Sequence, residues 1–166
     1  MKLSDKVEFI TSTLEKLYPK PEIPLNHKNN FTFLVAVMLS AQSTDKKVNE
    51  ITPKLFEIAN SAEKMDLLSA NEIKNHIREI GLAPTKSKNI KKMSKQLLLL
   101  HNGEVPRTFE ELESLAGVGH KTASVIMSQA FNEPAFPIDT HIHRLAFRWK
   151  LSNGKNVITT EKDLKR

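Results

Sequence analysis

The sequence predicts an all-α protein, on three observations. Apolar residues recur every three or four positions along most of the 166 residues, which is the spacing of one helix face. Runs that alternate apolar and polar residues, which indicate half-buried strands, do not occur. One stretch, Phe31 to Gln42, is nearly all apolar and predicts a buried central helix. With 39% apolar residues, the chain can form one good core, or one domain and part of another.

The N-terminal third is predicted to hold a first helix, a linker and a helix after the central one. The first helix begins with Ser4 as its cap and ends near Tyr18, and one face carries Val7, Ile10, Leu14 and Leu17. Residues 19–30 contain three prolines and are interpreted as an extended linker and a domain boundary. Thr44 opens the later helix, in which Pro53 is expected to cause a kink or a split. Its inward positions are predicted to be Val48, Ile51, Leu55 and Ile58.

Further helices are predicted along the rest of the chain. Their approximate ranges are 62–68, 70–80, 84–101, 120–131 and 139–151. The 84–101 helix is expected to bury Ile90, Met93, Leu97 and Leu100. Thr108 and Glu111 match a capping box for another helix. From Thr159 the tail has the pattern of a capped helix start that stops after about two turns. A frayed end and a truncated chain both explain this tail, and truncation is favoured.

Composition limits the classes of function. The net charge of +6 and pI of about 9.5 are compatible with a polyanionic partner, although many basic domains bind none. The chain contains no cysteine, which excludes disulfides, iron–sulfur ligation and thiol catalysis by its own residues. No stretch approaches the ~20 apolar residues of a membrane span, and the N-terminus lacks the apolar core of a secretory signal. We therefore expect a soluble intracellular protein without a membrane partner.

The most informative segment is residues 115–123, Leu-Ala-Gly-Val-Gly-His-Lys-Thr-Ala. Gly117, Val118 and Gly119 predict a tight hairpin that leads into a helix. Backbone without side chains lets a phosphate approach, and the helix N-terminus favours an anion. An ordinary turn between helices, which needs glycine for positive φ, is the alternative.

Two residues are candidates for catalysis, one just after this hairpin and one further along the chain. Lys121 lies in the first helical turn, where the helix dipole disfavours the ammonium, and a neutral amine is the form that attacks carbon. The simpler interpretation is a lysine that only contacts phosphate. Asp139 can cap the helix that starts at Thr140, and a capping carboxylate held rigidly can also serve catalysis.

Two other groups of residues are candidates for binding. His141 and His143 flank Ile142 and point to different helix faces, so together they make a poor metal site and we predict no metal. Residues 85–95 contain no acid. The lysines on one side of this helix favour contact with phosphates over a merely solvated face: Lys88, Lys91, Lys92 and Lys95.

Four segments in order resemble the endonuclease III family of helix–hairpin–helix DNA glycosylases and abasic-site lyases. They are residues 39–45, 81–90, 115–123 and 138–144. The resemblance implies a six-helix barrel domain over residues 22–136, with the helix–hairpin–helix at about 108–131. It also implies a partial second helical domain formed by residues 1–21 and 137–166. DNA is then expected to bind across the cleft between the two domains, with Lys121 and Asp139 facing each other there.

The resemblance further implies an activity in base excision repair. A damaged nucleotide, an oxidised pyrimidine, is flipped out of double-stranded DNA. Lys121 then attacks the sugar C1′, and the resulting Schiff base allows β-elimination 3′ to the abasic site, with Asp139 providing electrostatic stabilisation and proton transfer. Gln42 and Leu82 fill the vacated stack. The simpler interpretations are that Gln42 is a residue at the C-terminal end of a helix and that Leu82 is a core leucine. Hairpin residues, His141 and the basic helix contact the DNA. A monomer, cytoplasmic and associated with the nucleoid, is expected.

Departures from the family pattern keep two alternatives open. Ala116 stands where the family usually has proline, and Ile138 replaces valine conservatively. The family usually carries a four-cysteine iron–sulfur loop in a C-terminal region that this chain lacks, so the chain is interpreted as C-terminally truncated. The alternatives are a monofunctional glycosylase that uses water, and a non-catalytic helix–hairpin–helix fragment that binds DNA.

Overall fold

The structure is a computed structural model that describes residues 2–165, so the predicted domain ends at Met1 and Arg166 lie outside the described residues. Residues 2–165 form helices without strands, which confirms the predicted all-α class. The helices are α1 (Leu3–Leu17), α2 (Asn30–Ser40), α3 (Asp45–Ile58), α4 (Ala62–Leu67), α5 (Ala70–His76), α6 (Ala83–His101), α7 (Phe109–Ser114), α8 (His120–Phe131), α9 (Thr140–Arg148) and α10 (Val157–Leu164).

The chain divides into two compact units. The larger unit spans Pro24–Pro137 and contains α2 to α8. The smaller unit combines the two ends of the chain, residues 2–23 and 138–165, and contains α1, α9 and α10. The interpretation of these units as a six-helix barrel with boundaries at 22 and 136, and as a partial second domain, stays a prediction.

The core of the larger unit is built around α2. All nine residues from Phe31 to Leu39 are buried, as expected for a helix that is apolar on every side. Asn29 and Thr32 form a capping box at its start, with Asn29 Oδ1 accepting from Thr32 N at 2.8 Å. The helix packs against α3, α6 and α8. The helix ends at Ser40. Gln42 therefore lies outside it, and its simpler interpretation as a helical residue was wrong.

The amphipathic helices α3 and α6 each have one predicted inward residue near the C-terminus that is exposed, and Ile51 in the middle of α3 is only half-buried. Val48 and Leu55 are fully buried in α3, but Ile58 is 47% exposed. In α6 the predicted core residues Ile90, Met93 and Leu97 are fully buried, but Leu100 is 65% exposed. A helical pattern alone does not specify which of its apolar residues the neighbouring helices cover. The helix α3 also runs through Pro53 without being split.

Several predicted boundaries were wrong by a few residues. The first helix begins at Leu3 with Lys2 in the cap position, so Ser4 is not its cap. The helix α5 ends at His76 rather than near 80. Asn156, whose side chain accepts from Thr159 N, caps α10, which therefore begins at Val157. Boundaries depend on single capping contacts, which spacing alone does not specify.

The smaller unit is held together by a polar network between α9 and α10. The hydroxyl of fully buried Thr160 lies 2.8 Å from His143 Nδ1 and 3.2 Å from Ser152 Oγ. Ser152 in turn donates to Asp163 Oδ2 at 2.9 Å. Within residues 2–165, none of the helices is both long enough and apolar enough to span a bilayer.

Candidate functional site

The hairpin, residues 115–119, joins α7 to α8 in the larger unit. Its turn is closed by a bond from Val118 N to Leu115 O at 3.1 Å. Gly117 has φ +77°, and a Cβ there would lie 2.8 Å from Asn89 Cβ and 2.9 Å from Met38 Cε. The fold itself therefore requires glycine at position 117, both for its backbone conformation and for space.

Gly119 is different, because the fold does not require glycine there. Its φ of −96° and ψ of 177° are extended values that any residue adopts, and a Cβ at this position would meet no atom within 4 Å. As the N-cap of α8 it provides no side-chain acceptor for the first helical turn. The start of α8 is thus open to an approaching group. The side chain of Val118 is buried, so only its backbone can contact a ligand.

Lys121 is the second residue of α8 and its side chain is exposed. The preceding residue, His120, lies 2.6 Å from Glu113 Oε1 through its Nδ1 and stacks on Phe109 at 5.5 Å between ring centroids. These contacts anchor the first turn of α8 to α7. The amine therefore projects from a rigid helix start, directly after the open position at Gly119.

Asp139 is the N-cap of α9 in the smaller unit and is half-buried. Its Oδ1 accepts from His141 N at 2.9 Å and from Ile142 N at 2.8 Å, as the capping interpretation predicted. Both bonds use the same oxygen, so capping does not require Oδ2. His141 is exposed, and its Nδ1 lies 3.2 Å from Arg144 Nη2.

Lys121 and Asp139 belong to different units. The expectation that they face each other across a DNA-binding cleft stays a prediction.

Gln42 and Leu82 lie on adjacent turns of the larger unit. Both adopt left-handed backbone conformations, with φ of 56° and 61°. A Cβ on Gly81 would lie 3.4 Å from Gln42 O, which brings the two turns into contact. Gln42 is exposed and Leu82 is 55% exposed, so the alternative of a core leucine was wrong. Non-glycine residues in this conformation are uncommon and costly, and such strain often marks functional sites.

A buried lysine that had no predicted role ties these two turns together. Lys86 is 7% exposed, and its Nζ donates to Leu39 O at 2.9 Å and to Ala41 O at 2.5 Å. Burial lowers the pKa of this lysine below its usual value. Its amine thus binds the end of α2, just before Gln42, from the start of α6, just after Leu82. The available signal was its spacing, since Lys86 lies four residues before the core residue Ile90.

Among the four lysines of α6 that were predicted to contact phosphates, one forms an ion pair and three are exposed. Lys91 forms an ion pair with Asp66 Oδ1 at 2.8 Å and also donates to Asp66 O. Asp66 belongs to α4, so the composition of residues 85–95 could not reveal this partner. The exposed lysines along α6 are Lys88, Lys92 and Lys95.

The residues present do not fit an iron–sulfur cluster. Such a cluster is held by cysteine thiolates, and the sequence has no cysteine. Among residues 2–165, no group of three or more His, Asp or Glu side chains is arranged to hold a metal ion.

Comparisons with known proteins identify the family. A profile described as HhH-GPD superfamily base excision DNA repair protein matches residues 35–166. The chain is 42% identical over 164 residues to the endonuclease III of Haemophilus influenzae, which covers 99% of this chain and 77% of that protein, and the same figures hold for the endonuclease III of Escherichia coli K12.

Solved structures agree with this relationship. A trapped covalent intermediate of endonuclease III with DNA matches with a TM-score of 0.91 at 38% identity, over 99% of this chain and 78% of that chain. A thermostable thymine-DNA glycosylase matches with a TM-score of 0.85 at 23% identity, over 96% of this chain and 79% of that one, which supports the fold alone. The resemblance inferred from four sequence segments is confirmed. The chain therefore belongs to the HhH-GPD superfamily of base excision DNA repair proteins, as an endonuclease III-like DNA glycosylase.

Proposed function

We propose that this chain is a bifunctional DNA N-glycosylase and abasic-site lyase. It removes oxidised pyrimidines from double-stranded DNA and cuts 3′ to the abasic site. The observation that carries the proposal is an exposed lysine, Lys121, on the first turn of a helix whose N-cap, Gly119, is open to an approaching group. The relatives include an endonuclease III trapped covalently on DNA, which supports DNA as the partner. Both proposed catalytic residues come from one chain, so the proposal requires only a monomer.

The hairpin binds the DNA backbone in this proposal. A phosphate oxygen approaches the amides at the start of α8, where the helix dipole favours negative charge. Gly117 provides the turn and Gly119 provides the space. The exposed lysines of α6, which are Lys88, Lys92 and Lys95, supply positive charge along the DNA backbone. Lys91 contributes only by exchanging its ion pair with Asp66 for a phosphate. In the smaller unit, His141 is exposed and contacts DNA beside Asp139.

The reaction uses the amine of Lys121 as a nucleophile. The neutral Nζ attacks C1′ of the flipped nucleotide, the C1′–N bond breaks, and the base departs with the bonding electrons and takes up a proton. Loss of the amine proton and opening of the sugar ring give a Schiff base between Nζ and C1′. Removal of a C2′ proton then expels the 3′ phosphate by β-elimination. The fixed carboxylate of Asp139 stabilises the positive charge that develops on the sugar and accepts protons.

The direct test is trapping by borohydride on duplex DNA that carries one ring-saturated pyrimidine. Reduction of the Schiff base is expected to join the protein covalently to the DNA, in step with base release. Base release without an adduct would instead identify a monofunctional enzyme. Salt-dependent binding without base release would identify a non-catalytic DNA-binding protein. Either result overturns the proposal.

Gly119→Ser is expected to separate DNA binding from folding. Serine is a slightly better N-cap than glycine and its Cβ meets no protein atom, so the free energy of unfolding should stay equal or rise by roughly a few tenths of a kcal/mol. The new side chain occupies the space and the amides that a phosphate needs, so duplex affinity should fall about tenfold. Fluorescence anisotropy and urea denaturation measure the two effects.

The matched control is Gly117→Ser. Because φ is +77° and Asn89 blocks the new Cβ, this change is expected to cost more than about 1 kcal/mol of stability. A Gly119→Ser protein that binds duplex DNA as tightly as the wild type would remove the hairpin from the proposed interface.

Gln42 and Leu82 fill the gap left by the flipped nucleotide, one as an amide for the orphaned base and one as an apolar wedge. The double change Gln42→Ala and Leu82→Ala is expected to slow base release from duplex DNA about tenfold or more, since it removes about 1–3 kcal/mol of stacking and hydrogen bonding. Cleavage of a single-stranded abasic substrate, which has no stack to fill, should change little.

Leu67→Ala serves as the control, since Leu67 is a leucine of the same unit with 84% exposure. If the double variant of Gln42 and Leu82 lost equal activity on duplex and single-stranded substrates, this result would argue against the stacking role.

A further inference from the structure

We infer that Gln96 is a positioning residue that holds the hairpin in its DNA-binding conformation. This inference rests on the proposed function and adds to it a residue outside the four segments that carry the family resemblance. The side-chain amide of Gln96, on α6, bridges two backbone groups of the hairpin region. Its Oε1 accepts from Ala116 N at 2.8 Å, and its Nε2 donates to Ser114 O at 3.2 Å.

The bridge supplies a contact that the hairpin's own bonds do not provide. Within the turn, Leu115 N donates to Leu112 O at 3.1 Å, and Val118 N donates to Leu115 O at 3.1 Å. The N–H of Ala116 donates across to Gln96 instead. Both atoms of one amide are satisfied by two groups that flank Leu115, so the pairing matches the donor and acceptor of glutamine.

Position 116 explains why the bridge has a positioning role. Proline at this position would fix φ through its ring and would carry no N–H. Leu115 has φ −74° and ψ 142°, which is the backbone conformation that a residue before proline adopts. This chain has alanine at 116, which leaves the backbone freer and carries an N–H. The hydrogen bond from Ala116 to Gln96 restrains the same segment by another route.

The bridge acts on the DNA-binding face through α6. Gln96 lies seven residues after Asn89 and therefore on the same helix face. Asn89 packs under Gly117, where a Cβ would lie 2.8 Å from its own Cβ. The amide side chains of Asn89 and Gln96, two helical turns apart on α6, thus both contact the hairpin region. A hairpin held in place before DNA arrives loses less conformational entropy when it binds phosphate.

The test is a double-mutant cycle with Gln96→Leu, Ala116→Pro and the combined variant, read out by duplex affinity on the full chain. Gln96→Leu is expected to weaken binding about two- to tenfold, because it removes the two hydrogen bonds that hold the hairpin. Ala116→Pro alone should also weaken it, because Gln96 Oε1 loses its donor. In the combined variant the proline restrains the backbone and position 116 has no N–H to leave unpaired, so binding should return to within about twofold of the wild type.

Amide hydrogen exchange gives a readout independent of DNA. The Ala116 amide should exchange at least about tenfold faster in Gln96→Leu, while amides in the centre of α2 keep their protection. Gln129→Leu is the control, since Gln129 is an exposed glutamine on α8. Unchanged exchange at Ala116, or additive losses without recovery in the combined variant, would overturn the inference. If the wild type binds no duplex, the proposed function fails while the exchange experiment still decides on the bridge.

Discussion

Lys121→Gln is expected to abolish the borohydride-trapped adduct and to slow both base release and strand cleavage by about 10³-fold or more. The reason is that glutamine has no amine to form the Schiff base, and the loss of a covalent nucleophile removes a whole reaction path. Lys121 is exposed on α8, so the fold should tolerate the change. The adduct is measured by denaturing gel electrophoresis, and the rates are measured under single-turnover conditions.

Two further variants separate chemistry from binding. Lys121→Arg keeps the positive charge beside the DNA backbone but cannot form a Schiff base, so it should bind duplex DNA nearly as well as the wild type and still give no adduct. Lys54→Gln removes an exposed lysine of the same unit and should leave trapping unchanged. An adduct that persists in Lys121→Gln would mean that another amine is the nucleophile.

Asp139→Asn is expected to lower base release by about 10²- to 10³-fold with little change in stability. Asparagine is as good an N-cap as aspartate, so its side-chain oxygen can keep the bonds to His141 N and Ile142 N that Oδ1 now accepts. The negative charge is lost, and with it the stabilisation of positive charge on the sugar. Single-turnover base release and urea denaturation measure the two quantities on the same protein.

Asp139→Ala completes this comparison. It removes the cap as well as the charge and should cost about 1 kcal/mol of stability in addition to the loss of rate. Asp5→Asn, in the first turn of α1 in the same unit, should alter neither quantity much. Full activity in Asp139→Asn would reduce Asp139 to a purely structural cap.

Several features could be predicted from the sequence because they depend on neighbours in the chain. The continuous apolar run predicted that α2 is buried, and nine of its residues are. The positions of Ile90, Met93 and Leu97 predicted the buried face of α6. Gly117 predicted the tight turn of the hairpin, since glycine adopts positive φ without steric cost. Thr44 likewise predicted the start of α3.

Other features could not be predicted because they depend on what packs against a residue. Leu100 has the spacing of a core residue but lies where no neighbour covers it. Lys91 appeared to be an uncompensated charge until the fold brought Asp66 to it. The left-handed conformations of Gln42 and Leu82 are unusual for these residue types, so local preference argued against them.

The sequence by itself determined the helical class, the hairpin, the family and the two residues proposed for chemistry. Each of these follows from residue identities and their spacing and order along the chain, without knowledge of which segments pack together. Only the tertiary structure decided which groups support the site, because their partners are far apart along the chain. Lys86 binds carbonyls 45 and 47 residues away, and Gln96 binds an amide 20 residues away. Hydrogen bonds of this kind exist only after the helices have packed, and no local pattern encodes which donor will meet which acceptor.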